Sequence, residues 1–279
     1  MAATWELCGP ALLFCPATRP DRFEKALERA DAVILDLEDA VPADEKDEAR
    51  EAAVEALGRM DAARTIVRIN ALTTAAGRRD LEALDRAASR VVMVPKAEDP
   101  AELAALEGFA VLALCETATG VLRAPEIAAS PSCVALMWGG EDLTASLGGR
   151  GSRKADGAYH DVVRAARTQV LLAAGACGKH AIDGVYLDIA DVAGLAVEAG
   201  DAAKSGFAAK ACIHPNHVGT IRRAFAPDPE DLAWAQGVLA AAGRAGVGGV
   251  FTYEGRMVDG PLLIQAEAIV HAAARVAAA

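Results

Sequence analysis

Residues 111–147 read VLALCETATGVLRAPEIAASPSCVALMWGGEDLTASL. Two apolar runs in this stretch end in acids: VLALC runs into Glu116, and CVALMW runs through a glycine pair into Glu141 and Asp142. A run that is apolar throughout and then presents a carboxylate describes a strand buried on both faces whose end opens on a site. Two such ends, one strand–helix unit apart, bring two oxygen ligands within reach of one small hard cation. The plain alternative is that Glu116 and Asp142 only favour the helix starts that follow them, where carboxylates are stabilised. The rest of the chain decides between the two.

The same unit recurs in both directions. Upstream, the apolar runs are ALLFCP (11–16), AVILDLEDA (32–40), TIVRIN (65–70) and RVVMVPK (90–96); downstream they are AIDGVYLDI (181–189) and AAKACIHP (208–215). Between them lie amphipathic, alanine-rich segments with helical spacing. With the two runs of the opening stretch the count is eight β/α units, the number that closes a parallel barrel, and that fold typically needs about 250 residues. The expected fold class is therefore α/β, a (β/α)8 TIM barrel over residues 8–226 with a C-terminal helical extension over 227–279. The extension reads as a helix from an acidic, proline-marked turn, an irregular glycine-rich stretch over 246–261, and a terminal helix. It is too small for an independent core and is expected to pack on the barrel or on a neighbouring subunit.

Composition narrows the function. A net charge of −11 leaves no basic excess to neutralise phosphates, which excludes nucleic acid as a general partner. The N-terminus has no basic segment followed by an apolar core, and no run reaches the roughly 18 apolar residues of a membrane span. The six cysteines form no CxxC pair and sit mostly inside apolar runs, so they read as buried reduced thiols of a cytoplasmic protein.

In such a barrel the chemistry lies at the C-terminal ends of the strands. Those ends carry Asp36-Leu37-Glu38-Asp39, Arg68-Ile69-Asn70, Lys96, Glu116, Glu141-Asp142, Asp188 and His214-Pro215-Asn216, although the strands themselves hold almost no charge. Helix capping does not account for Arg68 and Lys96, because cations are unfavourable at helix starts. Carboxylates without a histidine pair or thiolates favour Mg²⁺ or Mn²⁺. Arg68 suits a bidentate grip on a substrate carboxylate. The Gly139-Gly140 pair would let backbone N–H groups approach an anion. Together these describe a site for an oxygen-rich acid whose developing charge is held by metal. His160, His180, His217 and His271 are scattered without ligand spacing and read as structural or surface residues, and Trp138 reads as packing.

In this order, FCPATRPDRFEKA (14–26), DAVILDLEDAV (31–41), VRIN (67–70), VPKAE (94–98), CETATG (115–120), WGGEDLTASLG (138–148), AIDGVYLDI (181–189), KACIHPNHV (210–218) and VDGPLL (258–263) resemble the citrate lyase β-subunit-like proteins. These belong to the HpcH/HpaI aldolase superfamily of Mg²⁺-dependent C–C lyases, and the resemblance covers about residues 11–265. It implies a homotrimeric (β/α)8 barrel whose C-terminal extension reaches toward a neighbour's site. The implied reaction cleaves or forms β-hydroxyacyl-CoA thioesters such as malyl-, citramalyl-, citryl- or hydroxymethylglutaryl-CoA.

By position, the resemblance makes Glu116 and Asp142 the Mg²⁺ ligands and Arg68 the residue meeting substrate oxygens, with Glu116 also beside the substrate. Glu38 and Asp39 would hold metal-bound water as part of the catalytic set, and Arg19 and Lys25 would meet coenzyme A phosphates. The His214-Pro215 segment would border the adenine end. Asp259 would act as general acid/base across the subunit boundary. Asp39 stands where the superfamily's pyruvate aldolases carry histidine, which points to the CoA-thioester branch. Two other readings stay open here. One is the β subunit of a citrate lyase complex acting on a citryl-acyl-carrier protein; the other is a catalytically silent CoA-binding relative.

Overall fold

The computed structural model describes residues 5–87, 89–245 and 250–278. Eight parallel strands follow one another around a closed barrel: β1 (Ala11–Pro16), β2 (Ala32–Asp36), β3 (Thr65–Arg68), β4 (Val91–Val94), β5 (Ala110–Cys115), β6 (Cys133–Trp138), β7 (His180–Asp183) and β8 (Ala209–Cys212). Closure is made by β8 on β1, with Leu12 opposite Ala211, so the sheet has no free edge. Outside it run α1 (Phe23–Arg29), α2 (Lys46–Leu57), α3 (Ala75–Leu84), α4 (Pro100–Ala104), α5 (Ala118–Leu122), α6 (Ala124–Ala128), α7 (Gly140–Ser146), α8 (Asp161–Ala176), α9 (Val192–Ser205) and α10 (Pro215–Phe225). This is the (β/α)8 TIM barrel expected from the apolar runs, and ALLFCP is β1 residue for residue.

Period-2 alternation sorts every strand into two apolar layers. One set points into the barrel and fills it: Leu12, Ile34, Ile66, Met93, Leu112, Leu114, Met137 and Ile182, all buried. The other set, with Leu13, Leu35, Val67, Val94, Val111 and Leu136, meets the helices, which answer with small residues such as Ala53, Ala128, Ala174 and Ala199. Alanine faces let the helices approach the sheet closely. Each fully buried Leu or Ile in these layers contributes about 1.5–3 kcal/mol. Helix starts are fixed locally: Thr74 accepts from Gly77 N, Thr117 from Gly120 N and Asp191 from Gly194 N.

Two sequence expectations change. β7 ends at Asp183 rather than running on through GVYLDI, because Gly184 turns its carbonyl to Lys210 Nζ at 2.6 Å and the chain leaves the sheet there. Asp188 is exposed and accepts from the backbone of Ala190 and Asp191, so it is a turn residue and not a strand end. In the extension, the stretch expected to be irregular contains an antiparallel hairpin, β9 (Phe251–Tyr253) and β10 (Arg256–Val258), between α11 (Pro229–Ala245) and α12 (Gly260–Ala278). Its two-residue turn puts Glu254 and Gly255 at φ 47° and 76°, the conformation that suits hairpin twist. Strands of three residues carry too little alternation to be read from sequence. Residues 246–249 of that stretch lie outside the described residues. The extension has an apolar cluster of its own, Ala235, Val238, Val258 and Ala266. Among the described residues no helix is long and apolar enough to cross a membrane.

Candidate active site

The strand alternation that fills the barrel also aims the polar residues at its C-terminal mouth. Asp36 shares the inward face of β2 with Ile34, and Arg68 that of β3 with Ile66. Glu116, one residue past β5, continues the face of Leu112 and Leu114. These side chains therefore meet above the core, where a cavity of about 460 Å³ is lined by Phe14, Asp36, Asp39, Arg68, Glu116, Met137, Trp138, Asp142, Tyr159 and Ile213, among others.

Arg68 is held by Asp36. Its Nε and one terminal nitrogen each donate to an Asp36 oxygen at 2.7 Å, and the same carboxylate accepts from the backbone of Glu38 and Ala40. The guanidinium also lies over the Phe14 ring, 4.9 Å from its centroid. The fork expected to grip a substrate carboxylate is thus already used within the protein. What remains is the other terminal nitrogen, 3.1 Å from Glu38 Oε2 and 4.0 Å from Asp39. Burial opposes the Arg68 charge, but Asp36, Glu38 and Glu116 outweigh it and make the guanidinium harder to deprotonate still. Asp36 is legible in sequence among the strand-end acids, but without a role of its own. The signal was present, because residue 36 has the parity of the inward-facing Ile34.

The turn after β2 is pinned by Lys46, whose Nζ donates to the carbonyls of Leu37 and Glu38. This presents Glu38, buried, and Asp39, exposed, to Lys96. Lys96 Nζ lies 2.6 Å from Glu38, 3.4 Å from Asp142, and 3.9 Å from both Glu116 and Asp39. Burial raises the Glu38 carboxyl, and the cations Arg68 and Lys96 only partly offset it. The Lys96 ammonium is itself desolvated, yet its hydrogen bond to Glu38 and the surrounding carboxylates hold its pKa above the ordinary lysine value.

Glu116 is 3% exposed. Burial first, then the charges of Asp142 and Glu38, push its carboxyl up to about 8. Its place depends on Gly139: a Cβ there would stand 2.8 Å from Glu116 Oε2. The room beside Gly139 is therefore taken by the Glu116 carboxylate rather than offered to an anion. Asp142 sits in the first turn of α7, half-exposed at the cavity wall, while the neighbouring Glu141 accepts from Ser152 Oγ.

The donor set fits a hard divalent cation. Glu116 and Asp142 both line the cavity and both stand within 4 Å of the Lys96 ammonium, in a cluster where carboxylates outnumber cations. Among the described residues no group of three or more His, Cys, Asp or Glu is arranged as a metal cluster. Mg²⁺ does not need one, since it usually takes one or two carboxylates and completes its shell with water and substrate oxygens.

Other sequence candidates lie apart from the cavity wall. Arg19 and Lys25 are exposed on the segment after β1, and Arg19 is paired with Asp21 at 2.8 Å. Asp259, partly buried at the start of α12, does not line the cavity of its own chain. His214 Nδ1 accepts from Asn216 N and caps α10. Trp138 packs in the helix-facing layer as expected, but it also forms cavity wall, and its Nε1 donates to Asp183 at 2.8 Å. Tyr159 was not singled out from sequence. It lines the cavity edge-on to Trp138, beneath the Arg153 guanidinium.

Comparison with known proteins places this geometry. The family model described as HpcH/HpaI aldolase/citrate lyase matches residues 11–215. The chain is 52% identical over 265 residues to the citrate lyase subunit beta-like protein of Mycobacterium tuberculosis, covering 95% of this chain and 96% of that one. It is 32% identical over 294 aligned residues to the mitochondrial citramalyl-CoA lyase of Homo sapiens, covering 92% and 83%. The crystal structure of the protein CitE from Mycobacterium tuberculosis in complex with magnesium, acetoacetate and coenzyme A superposes with a TM-score of 0.88 at 52% identity, over 95% of this chain and 98% of that one.

Proposed function

The chain belongs to the HpcH/HpaI aldolase/citrate lyase family, and from that premise we propose that it is a Mg²⁺-dependent carbon–carbon lyase acting on a β-hydroxyacyl-CoA thioester. The observation that carries the proposal is that Glu116, Asp142 and Arg68, from three different strand ends, line one cavity at the C-terminal mouth of the barrel. The magnesium and coenzyme A held by the related CitE structure support the choice of cofactor and of substrate handle. A malyl, citramalyl or hydroxymethylglutaryl acyl group fits this chemistry equally.

Glu116 and Asp142 would hold Mg²⁺. When bound there, the metal polarises substrate oxygens and lowers the cost of the charge that cleavage develops. The protein's own residues supply the remainder. Glu38 and Asp39 take the proton of the β-hydroxyl, directly or through water; Glu38 Oε2 is buried and faces the Arg68 terminal nitrogen at 3.1 Å. As the alkoxide collapses to a carbonyl, the C–C bond breaks and its electron pair passes to the thioester as an enolate. The Arg68 terminal nitrogen that Asp36 does not hold faces that charge, and Asp36 keeps it aimed. Protonation of the enolate carbon releases the acyl-CoA beside an oxo acid.

We assign that last proton to Asp259 of a neighbouring copy, the role that the family resemblance gives it; Asp259 does not line its own chain's cavity. This assignment makes the working enzyme an oligomer, with the extension packed on the adjacent barrel. Arg19 and Lys25, exposed on the β1–α1 segment, are assigned to coenzyme A phosphates.

Glu116→Ala tests the reading. With Mg²⁺ and a panel of citramalyl-, malyl- and hydroxymethylglutaryl-CoA, it abolishes oxo-acid release and metal binding while far-UV circular dichroism stays native. Full cleavage by the variant, with no metal bound, overturns the proposal. Turnover of free thioesters by the purified chain separates a standalone lyase from a subunit that needs a carrier protein.

A further inference from the structure

The proposed reaction gives Lys96 no step, yet its backbone and side chain are both tied into the mouth of the barrel. It lies in the left-handed region at φ 48°, a conformation that costs a lysine about 1 kcal/mol and persists only where the surroundings fix it. Two contacts fix it. The Lys96 backbone N–H donates to Glu116 Oε1 at 3.1 Å, and the side chain turns back so that Nζ stands within 4 Å of Glu38, Asp39, Glu116 and Asp142. One residue therefore orients a proposed metal ligand with its amide and neutralises both proposed ligands with its ammonium.

A unit positive charge at that distance has two opposite effects. It holds together carboxylates that otherwise repel one another, and it repels any second cation entering between them. Arg68 cannot take over this role, because two of its nitrogens are committed to Asp36. We propose that Lys96 is a resident counter-cation: it keeps the carboxylate cluster assembled when no metal is bound, and it sets the affinity for the divalent metal by competing for Glu116 and Asp142. The inference rests on the metal-lyase reading above and adds a residue that regulates how tightly that metal is held.

Metal binding and thermal stability test it without any assay of turnover. Mn²⁺ is titrated into substrate-free protein and followed by electron paramagnetic resonance, with Mg²⁺ by calorimetry, for wild type, Lys96→Met, Lys96→Arg and Glu116→Gln. Methionine keeps an unbranched side chain close to lysine in length and the same backbone cost, and removes the charge together with its hydrogen bond to Glu38. Lys96→Met is expected to bind metal about 10- to 100-fold more tightly than wild type, as expected for removing one charge at this range. Lys96→Arg stays near wild type, and Glu116→Gln loses binding. Metal-free Lys96→Met melts below wild type, and saturating Mg²⁺ restores it. A lysine with a structural role alone would lower the melting temperature equally with and without metal, and that result overturns the inference. So does Lys96→Met binding metal no more tightly than wild type. Wild-type protein that takes up neither metal overturns the lyase reading and this inference with it, an outcome distinct from the other two.

Discussion

Two clusters of charged side chains crown the C-terminal half of this barrel, and each is built around a lysine. Behind β7 and β8, Asp183, Glu198 and Asp201 meet Arg153, Arg167 and Lys210, three acids against three cations. In the mouth, Asp36, Glu38, Asp39, Glu116 and Asp142 are paired, among the described residues, with Arg68 and Lys96 alone. The balanced cluster completes itself. Lys210, fully buried, donates to Asp183, to the Gly184 carbonyl and to Glu198, and Asp183 also accepts from Trp138 and Arg167. The mouth cluster is left anionic, which is what a divalent cation requires. Ionisation follows charge balance: burial works to raise both Asp183 and Glu116, but neighbouring cations overturn it at Asp183 and hold that carboxyl below its ordinary value, while Glu116 rises to about 8. Burial of charge alone does not mark a site; an unbalanced sum does.

The sharpest way to break this comparison is to remove each lysine in turn. Lys210→Met strips Asp183 and Glu198 of a buried partner, and loss of one partner from a buried ion cluster costs about 3–5 kcal/mol. Urea unfolding should show that loss equally with and without Mg²⁺. A loss that metal restores would place Lys210 with Lys96 and dissolve the distinction. Next in size is Asp36→Asn, which keeps the shape but loosens the Arg68 fork. Misplacing a catalytic group by about 1 Å costs on the order of 100-fold in rate, so kcat should fall far more than KM changes. A rise in KM alone would mean that Arg68 serves binding only.

How far the sequence reaches differs between the two clusters for a reason of geometry. The barrel was legible because each strand is a continuous apolar run and eight of them occur. Arg68, Glu116 and Asp142 stood out because each ends such a run. Asp183 does not, since AIDGVYLDI reads as one strand that runs through Gly184 and ends at Asp188. The break comes from Lys210 holding the Gly184 carbonyl, a contact between residues far apart in sequence. Applying strand parity would have gone further. Asp36 and Arg68 share the parity of lumen residues, whereas Asp183 and Lys210 share that of Ala181 and Cys212, which face the helices. What no local pattern carries is the convergence of Lys96 on four carboxylates, because it depends on a left-handed residue after β4.

The smallest effect in the working range, and the finest discrimination, concerns acid. Asp183 binds its proton more weakly in the folded protein than in the unfolded chain, because Lys210 and Arg167 outweigh its burial. The stability this adds is therefore fully present above the ordinary aspartate range, near pH ~3.9, and is lost as pH falls through the depressed folded value. Between pH 7 and 5 the cluster behind β7 and β8 should leave stability unchanged, with the loss beginning only below that range. Lys210→Met removes one of the two cations that outweigh burial, so the folded carboxyl moves up toward its unfolded value and this contribution to the acid limb shrinks. Asp183→Asn abolishes this contribution to the limb altogether. An acid limb that Lys210→Met leaves in place would mean that Arg167 alone holds Asp183 ionised, and that the buried lysine serves Glu198 instead.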